Sequence, residues 1–257
     1  MQKIVLLFAI AFISLNTTAQ KIHENGKYID VNGVKLYYEI YGEGEPLLMI
    51  HGNGGSFVCF ENQVPEFSKH YKVILVDCRG RGNSSYKKGV ELTFDLQVED
   101  ISLFLEKLNI NKTNVLGWSD GGIIGLLLAI KHPEKVAKLV TTGANIFPKG
   151  IVHFDDMKKT AIDLDIKNTN HENDLAIDLN NLDLNYPNLN YTDLNVIKSK
   201  TLIMAGDHDE IKGEHTQKIY ESIPNAQLAI LPNSSHSTLI DKSNLFNEIV
   251  LEFLLNN

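Results

Sequence analysis

The hexapeptide GWSDGG at residues 117–122 places one serine, Ser119, between glycines. A serine hydroxyl is a weak nucleophile by itself. It needs a base to take its proton and an acid to orient that base. His236 stands in PNSSHSTL, just past the apolar run 228–231, and is the base candidate among nine histidines. Asp207, Asp209 and Glu210, in GDHDE just past TLIMAG, are the acid candidates. Asp207 directly follows the apolar run and can cap a turn; Asp209 lies further into the loop. Spacing leaves that choice open. An acyl-transfer transition state also needs amide donors for its oxyanion. The backbone N–H of Asp120 is one candidate. That of Asn53, in the glycine-rich HGNGGS at 51–56, is the other. His51 in the same segment is expected to shape the loop and not to act as the base.

These groups can meet only if a fold gathers distant segments. Short apolar runs alternate with helical patterns along the chain. The runs are KLYYEIYG (35–42), PLLMIHG (46–52), KVILVDCRGRG (72–82), NVLGWS (114–119), KLVTTGA (138–144), TLIMAGD (201–207) and QLAILP (227–232). Each is bounded by Gly, Pro or Asp, which predicts buried parallel strands. Between them, residues 93–109 put Phe94, Val98, Ile101, Leu105 and Leu108 on one helical face, with Thr93 as cap and Asn109 at the end. Residues 122–133 are apolar almost all round, predicting a buried helix that stops before Pro133. Residues 214–224 and 243–254 are amphipathic. This alternation predicts an α/β fold: a doubly wound, mostly parallel sheet whose ligands bind at the carboxyl ends of the strands. In that setting a strand–turn–helix around Ser119 is a nucleophile elbow, and the helix start behind it favours developing negative charge.

Residues 145–198 interrupt the alternation and hold nine asparagines between Asn168 and Asn195. Leu175, Leu179, Leu182 and Tyr186 recur at helical spacing until Pro187. The expectation is two short helices with loose connections, forming a short lid insertion. At the other end, Lys3, the apolar run 4–15 and Thr17-Thr18-Ala19 have the layout of a signal peptide cut after Ala19. The run is too short to span a membrane. The expected domains are therefore a signal peptide, 1–19, and one domain, 20–257, that is exported to the periplasm or secreted, without a stable membrane anchor after cleavage. The net charge is −8, and loss of Lys3 leaves 23 basic against 32 acidic side chains, a mature charge of −9. No basic stripe is present, so nucleic acid is not an expected partner. Two cysteines, Cys59 and Cys78, are too few for a disulfide framework. They could pair in an oxidising compartment; two buried free thiols is the plainer expectation.

HGNGG, DCRGRGNS, GWSDGG, AGDHD and SSHS, in that order from about Asn25 to Leu255, resemble the α/β-hydrolase superfamily. The resemblance implies a Ser119–His236–Asp209 triad, because the family's acid is the aspartate of a G-x-x-D pattern, here Gly206 to Asp209. It departs in one place: Ser235 stands where a glycine usually precedes the histidine. It implies structural support from Asp77, Arg79, Gly80 and Gly82. The elbow is also similar to the valacyclovir-hydrolase (biphenyl-hydrolase-like) group, in which the aspartate after the serine recognises the amino group of amino-acid esters. Asp120 matches that position, although the insertion here is much shorter. Asp120, Trp118 and Gly52 are thus the candidate substrate contacts. The expected activity is hydrolysis of small carboxylic esters through an acyl-enzyme, with no metal or cofactor. Lactones, peptides with a free N-terminus or carbon–carbon bonds are alternatives on the same triad. An exported binding module with a decayed site is the alternative outside enzymes.

Overall fold

The computed structural model describes residues 26–256, except 168–170, 172, 173 and the side chain of Leu164. The expected signal peptide lies outside the described residues. Among the described residues eight strands form one sheet: β1 (Lys27–Val31), β2 (Val34–Tyr41), β3 (Pro46–Ile50), β4 (Lys72–Val76), β5 (Thr113–Trp118), β6 (Val136–Thr142), β7 (Lys200–Gly206) and β8 (Ala226–Leu231). Their order is β1-β2-β4-β3-β5-β6-β7-β8. From β4 to β8 every pairing is parallel. The helices are α1 (Val64–Phe67), α2 (Phe94–Lys107), α3 (Asp120–Lys131), α4 (Phe154–Lys167), α5 (Asp174–Asn185), α6 (Gly213–Ser222), α7 (Thr238–Asp241) and α8 (Ser243–Leu255).

Residue types explain the layering. Successive strand side chains point to opposite faces. In β3 and β4, Leu48, Ile50, Ile74 and Val76 join the core under α2 and α3, whereas Leu47, Met49, Val73 and Leu75 join the core under α1 and α8. Both faces are covered, so these strands are apolar throughout. α2 starts where expected, with Leu96 N donating to the Thr93 hydroxyl at 3.1 Å, and Asn109 leaves it at φ +56°. α3 is buried on nearly every side and ends at Lys131, because Pro133 has no amide to continue the ladder.

Two strand expectations are corrected, and one further strand is added. KLYYEIYG is β2, which runs antiparallel to both β1 and β4. β1 was not anticipated; its two-residue turn, Asn32 and Gly33 at φ +41° and +79°, is the hairpin type that Asn-Gly favours. QLAILP is β8, an edge strand whose Ile230 is 46% exposed, because only β7 pairs with it. Between β6 and β7 stand α4 and α5. Leu182 of α5 is fully buried in the main core, and Leu175 packs over Gly80 of the loop after β4. Among the described residues no helix is long and apolar enough to cross a membrane.

Candidate active site

Ser119 occupies the turn between β5 and α3 at φ +55°, ψ −118°, a conformation rare for a residue with a side chain. The neighbouring glycines are required by contact. A Cβ on Gly117 would lie 2.1 Å from Gly121 O, and one on Gly121 would lie 1.9 Å from Ile50 O. The turn is locked by Ser119 N donating to Thr142 O of β6 at 2.9 Å. Its hydroxyl thereby stands above the carboxyl ends of the strands.

His236 is on the loop between β8 and α7. Its Nε2 is 3.0 Å from Ser119 Oγ, and its Nδ1 is 2.7 Å from Asp209 Oδ1. Asp209 is only 2% exposed at its side chain. It also accepts from the amides of Ile211 at 2.9 Å and Gly206 at 3.3 Å, which fix the carboxylate's orientation. Burial by itself would lower the imidazole's affinity for a proton. The Asp209 hydrogen bond and charge outweigh that, aided by Glu210 and Asp120, and raise His236 above its ordinary 6.5. Asp207 does other work: it accepts from Asn233 N and Ser234 N and contacts His208, tying the loop after β7 to the loop after β8. Those amide bonds pull its carboxyl well below the usual carboxylate range. The imidazole therefore touches Asp209 and not Asp207.

The remaining sequence candidates separate into those at the hydroxyl and those committed elsewhere. Gly52 lies against the nucleophile: a Cβ there would be 3.0 Å from Ser119 Cβ. Trp118 turns to the histidine loop, its indole N–H donating to His236 O at 2.9 Å. That bond ties the elbow to the histidine loop and takes the indole's single donor. His51 is fully buried and pushed down to about 3, first by burial and then by the Arg81 charge. Neutral, it accepts from Cys78 N at 2.9 Å through Nε2 and donates from Nδ1 to Gly52 O at 2.7 Å, shaping the loop as expected. Cys59 and Cys78 are free thiols; burial pushes Cys78 up to about 12.

Asp120, the expected amino-group contact, is 3% exposed, and its Oδ2 accepts from Arg81 at 2.5 Å. Arg81, Gln97 and Asp183 of α5 form this surrounding cluster, and none was singled out in the sequence. Arg81 lies inside DCRGRGNS; Asp183 continues the spacing Leu175–Leu179 where an apolar residue would be expected. An acid on a buried stripe was the available signal. The expected structural residues do act as supports. Asp77 accepts from Phe57 N and Asn83 N, and Arg79 makes two 2.7 Å bonds to Asp100 in a buried pair.

Comparison with known proteins agrees with the fold. Residues 45–165 match the family described as alpha/beta hydrolase fold. The chain is 35% identical over 128 residues to a 2-hydroxymuconate semialdehyde hydrolase of Pseudomonas sp. strain CF600, covering 49% of this chain and 45% of that one. It is 31% identical to a pimeloyl-[acyl-carrier protein] methyl ester esterase of Aeromonas hydrophila, covering 46% of this chain and 50% of the relative. The matches thus span about half the length of these relatives. The enol-lactonase of Burkholderia xenovorans LB400 shares the fold over 90% of this chain and 100% of its own, at TM-score 0.75 and 22% identity. With its eight-stranded, mostly parallel sheet, the family match over the elbow and the shared fold of the enol-lactonase, the chain adopts the α/β-hydrolase fold.

Proposed function

We propose that this protein is a serine hydrolase of small carboxylic esters. The observation that carries the reading is the unbroken run Asp209–His236–Ser119 ending on a strained elbow. His236 Nε2 takes the proton from Ser119 Oγ as the oxygen attacks the ester carbonyl. The Asn53 and Asp120 amides receive the oxyanion. The imidazolium then protonates the leaving alcohol, and His236 activates water to release the acid from the acyl-enzyme. Asp209 keeps the proton on Nδ1, which leaves Nε2 free to accept, and stabilises the imidazolium. No metal or cofactor has a part in this scheme.

Similarity to a semialdehyde hydrolase and to an enol-lactonase supports a second reading, in which the same triad cleaves a carbon–carbon bond or a lactone. The amino-ester reading has less support, since Asp120 is occupied by Arg81. Amino-ester preference that disappears in Asp120→Ala would restore it. A fluorophosphonate probe tests the hydrolase reading itself. Wild type is expected to be labelled and Ser119→Ala not; no labelling, or equal labelling, would leave a binding module with a decayed site. A panel of simple esters, lactones, ring-cleavage dienoates and aminoacyl amides then separates the bond types. Export of the chain after Ala19 is part of the proposal, supported by the charged, apolar and small-residue order of residues 1–19.

A further inference from the structure

Three ionisable side chains, Arg81 and Asp120 buried and Asp183 half-buried, meet one residue from the nucleophile, and the triad scheme uses none of them. Asp120 begins α3, Arg81 lies in the loop after β4, and Asp183 belongs to α5 of the insertion. Arg81 and Asp120 pair with side chains 1% and 4% exposed. Asp120 and Asp183 face each other beside that guanidinium. One guanidinium balances one carboxylate, so a second charge here would have no counterion, which favours a proton on Asp183.

The group this cluster holds is Asn53. Its Nδ2 donates to Asp183 Oδ2 at 2.6 Å and to Leu179 O at 3.1 Å, both on α5. Its Oδ1 accepts from Arg81 at 3.2 Å and from Gly54 N at 2.8 Å. The side-chain amide has two donors and two acceptor positions, and all four are in use. The backbone of the same residue is the second oxyanion donor of the proposed mechanism.

We propose that Asp183 is a positioning residue: accepting from Asn53 Nδ2 at 2.6 Å, it ties the lid helix α5 to Asn53 and so sets the oxyanion loop. This rests on the hydrolase reading for its effect on rate, but not for the tie itself. Asp183 faces Asp120, Arg81 and Asn53; Asp120 faces Arg81 and Asp183, with His236 further off. Burial, then the Asp120 charge, hold Asp183 protonated well above the usual carboxylate range. The tie is therefore closed on the acidic side of that ionisation and is released as pH rises through it, when two carboxylates face one guanidinium.

The test measures amide hydrogen-exchange protection along α5 from neutral to alkaline pH, alongside kcat and KM on an ester. It compares wild type, Asp183→Asn and Asp183→Ala. Asparagine can donate to Asp120 and accept from Asn53 without titrating. In wild type, α5 protection and kcat are expected to fall together as pH rises. Asp183→Asn should keep protection flat and rescue most of the kcat lost in Asp183→Ala. Asp183→Ala should lose about ten- to a hundredfold in kcat, with KM less affected, and show low protection at every pH. Wild-type protection that does not change with pH would overturn the proposal, as would equal impairment of the two variants. Should Asp183→Ala fail to fold, the wild-type and Asp183→Asn pair decides the question. Absence of any ester turnover alongside the stated protection pattern would sink the ester reading and leave the tie standing.

Discussion

Asp207 and Asp209 sit two positions apart after β7, and their partners assign them different work. Asp207 is held by backbone amides of the neighbouring loop; Asp209 faces the imidazole. Asp209→Asn is expected to lower kcat by roughly 10⁴-fold, through the wrong imidazole tautomer and an unstabilised imidazolium. Asp207→Asn should leave kcat within a few-fold. Steady-state kinetics on an ester checks both, and the reverse order would overturn the assignment. The pH profile follows from the same contact. In the proposed mechanism His236 must be neutral to accept the serine proton, and its pKa is raised above 6.5. Activity should therefore rise with pH through a midpoint above 6.5 and be lost below it. In Asp209→Asn the residual activity should show this limb displaced to lower pH, because the raising partner is gone.

The elbow is a property of β5, α3 and β3 together. Gly121 has Ile50 O where a Cβ would be, backbone against backbone, so neither can yield. Gly121→Ala is expected to cost about 3 kcal/mol or more in urea denaturation. Gly125, one turn on in α3, is the contrast: its Cβ would meet the Leu139 methyl at 2.8 Å, and a side-chain end can move. Gly125→Ala should be near neutral, since alanine's helix preference of roughly 1 kcal/mol offsets the crowding. Equal costs at the two positions would contradict the contact argument. At this scale much of the fold was legible. Thr93, Asn109 and Pro133 marked helix boundaries through caps and a missing amide. β1 was missed although Asn32-Gly33 announced its hairpin, because its side chains are mostly exposed and carry little apolar pattern. β2 was read as parallel because an apolar run does not encode the direction of its neighbour.

For the molecule as a whole, the loop after β4 is anchored to α2 by the Arg79–Asp100 pair, 1% and 2% exposed. Arg79→Met is expected to lose roughly 3–5 kcal/mol, because Asp100 keeps a buried charge without its guanidinium. Adding Asp100→Leu should recover part of that loss, measured by the same urea transitions. A double variant no better than the single would mean packing, not charge, sets the cost. Export belongs to this scale too: protein collected outside the cytoplasm of a native host should begin at Gln20 on N-terminal sequencing, and a retained Met1 would refute cleavage.

The candidate site residues were readable in the sequence, because the elbow, the glycine loop and the histidine loop each carry a local steric requirement. So were the layers, because alternation and helical period report burial one segment at a time. What needed the tertiary structure were the contacts between segments. Spacing could not choose Asp209 over Asp207, since both lie at the end of one strand. Nor could it reveal that Asp120 is spent on Arg81, or that Asp183 reaches it from the insertion. A buried charge is decided by partners far away in sequence, and only the folded chain brings those partners together.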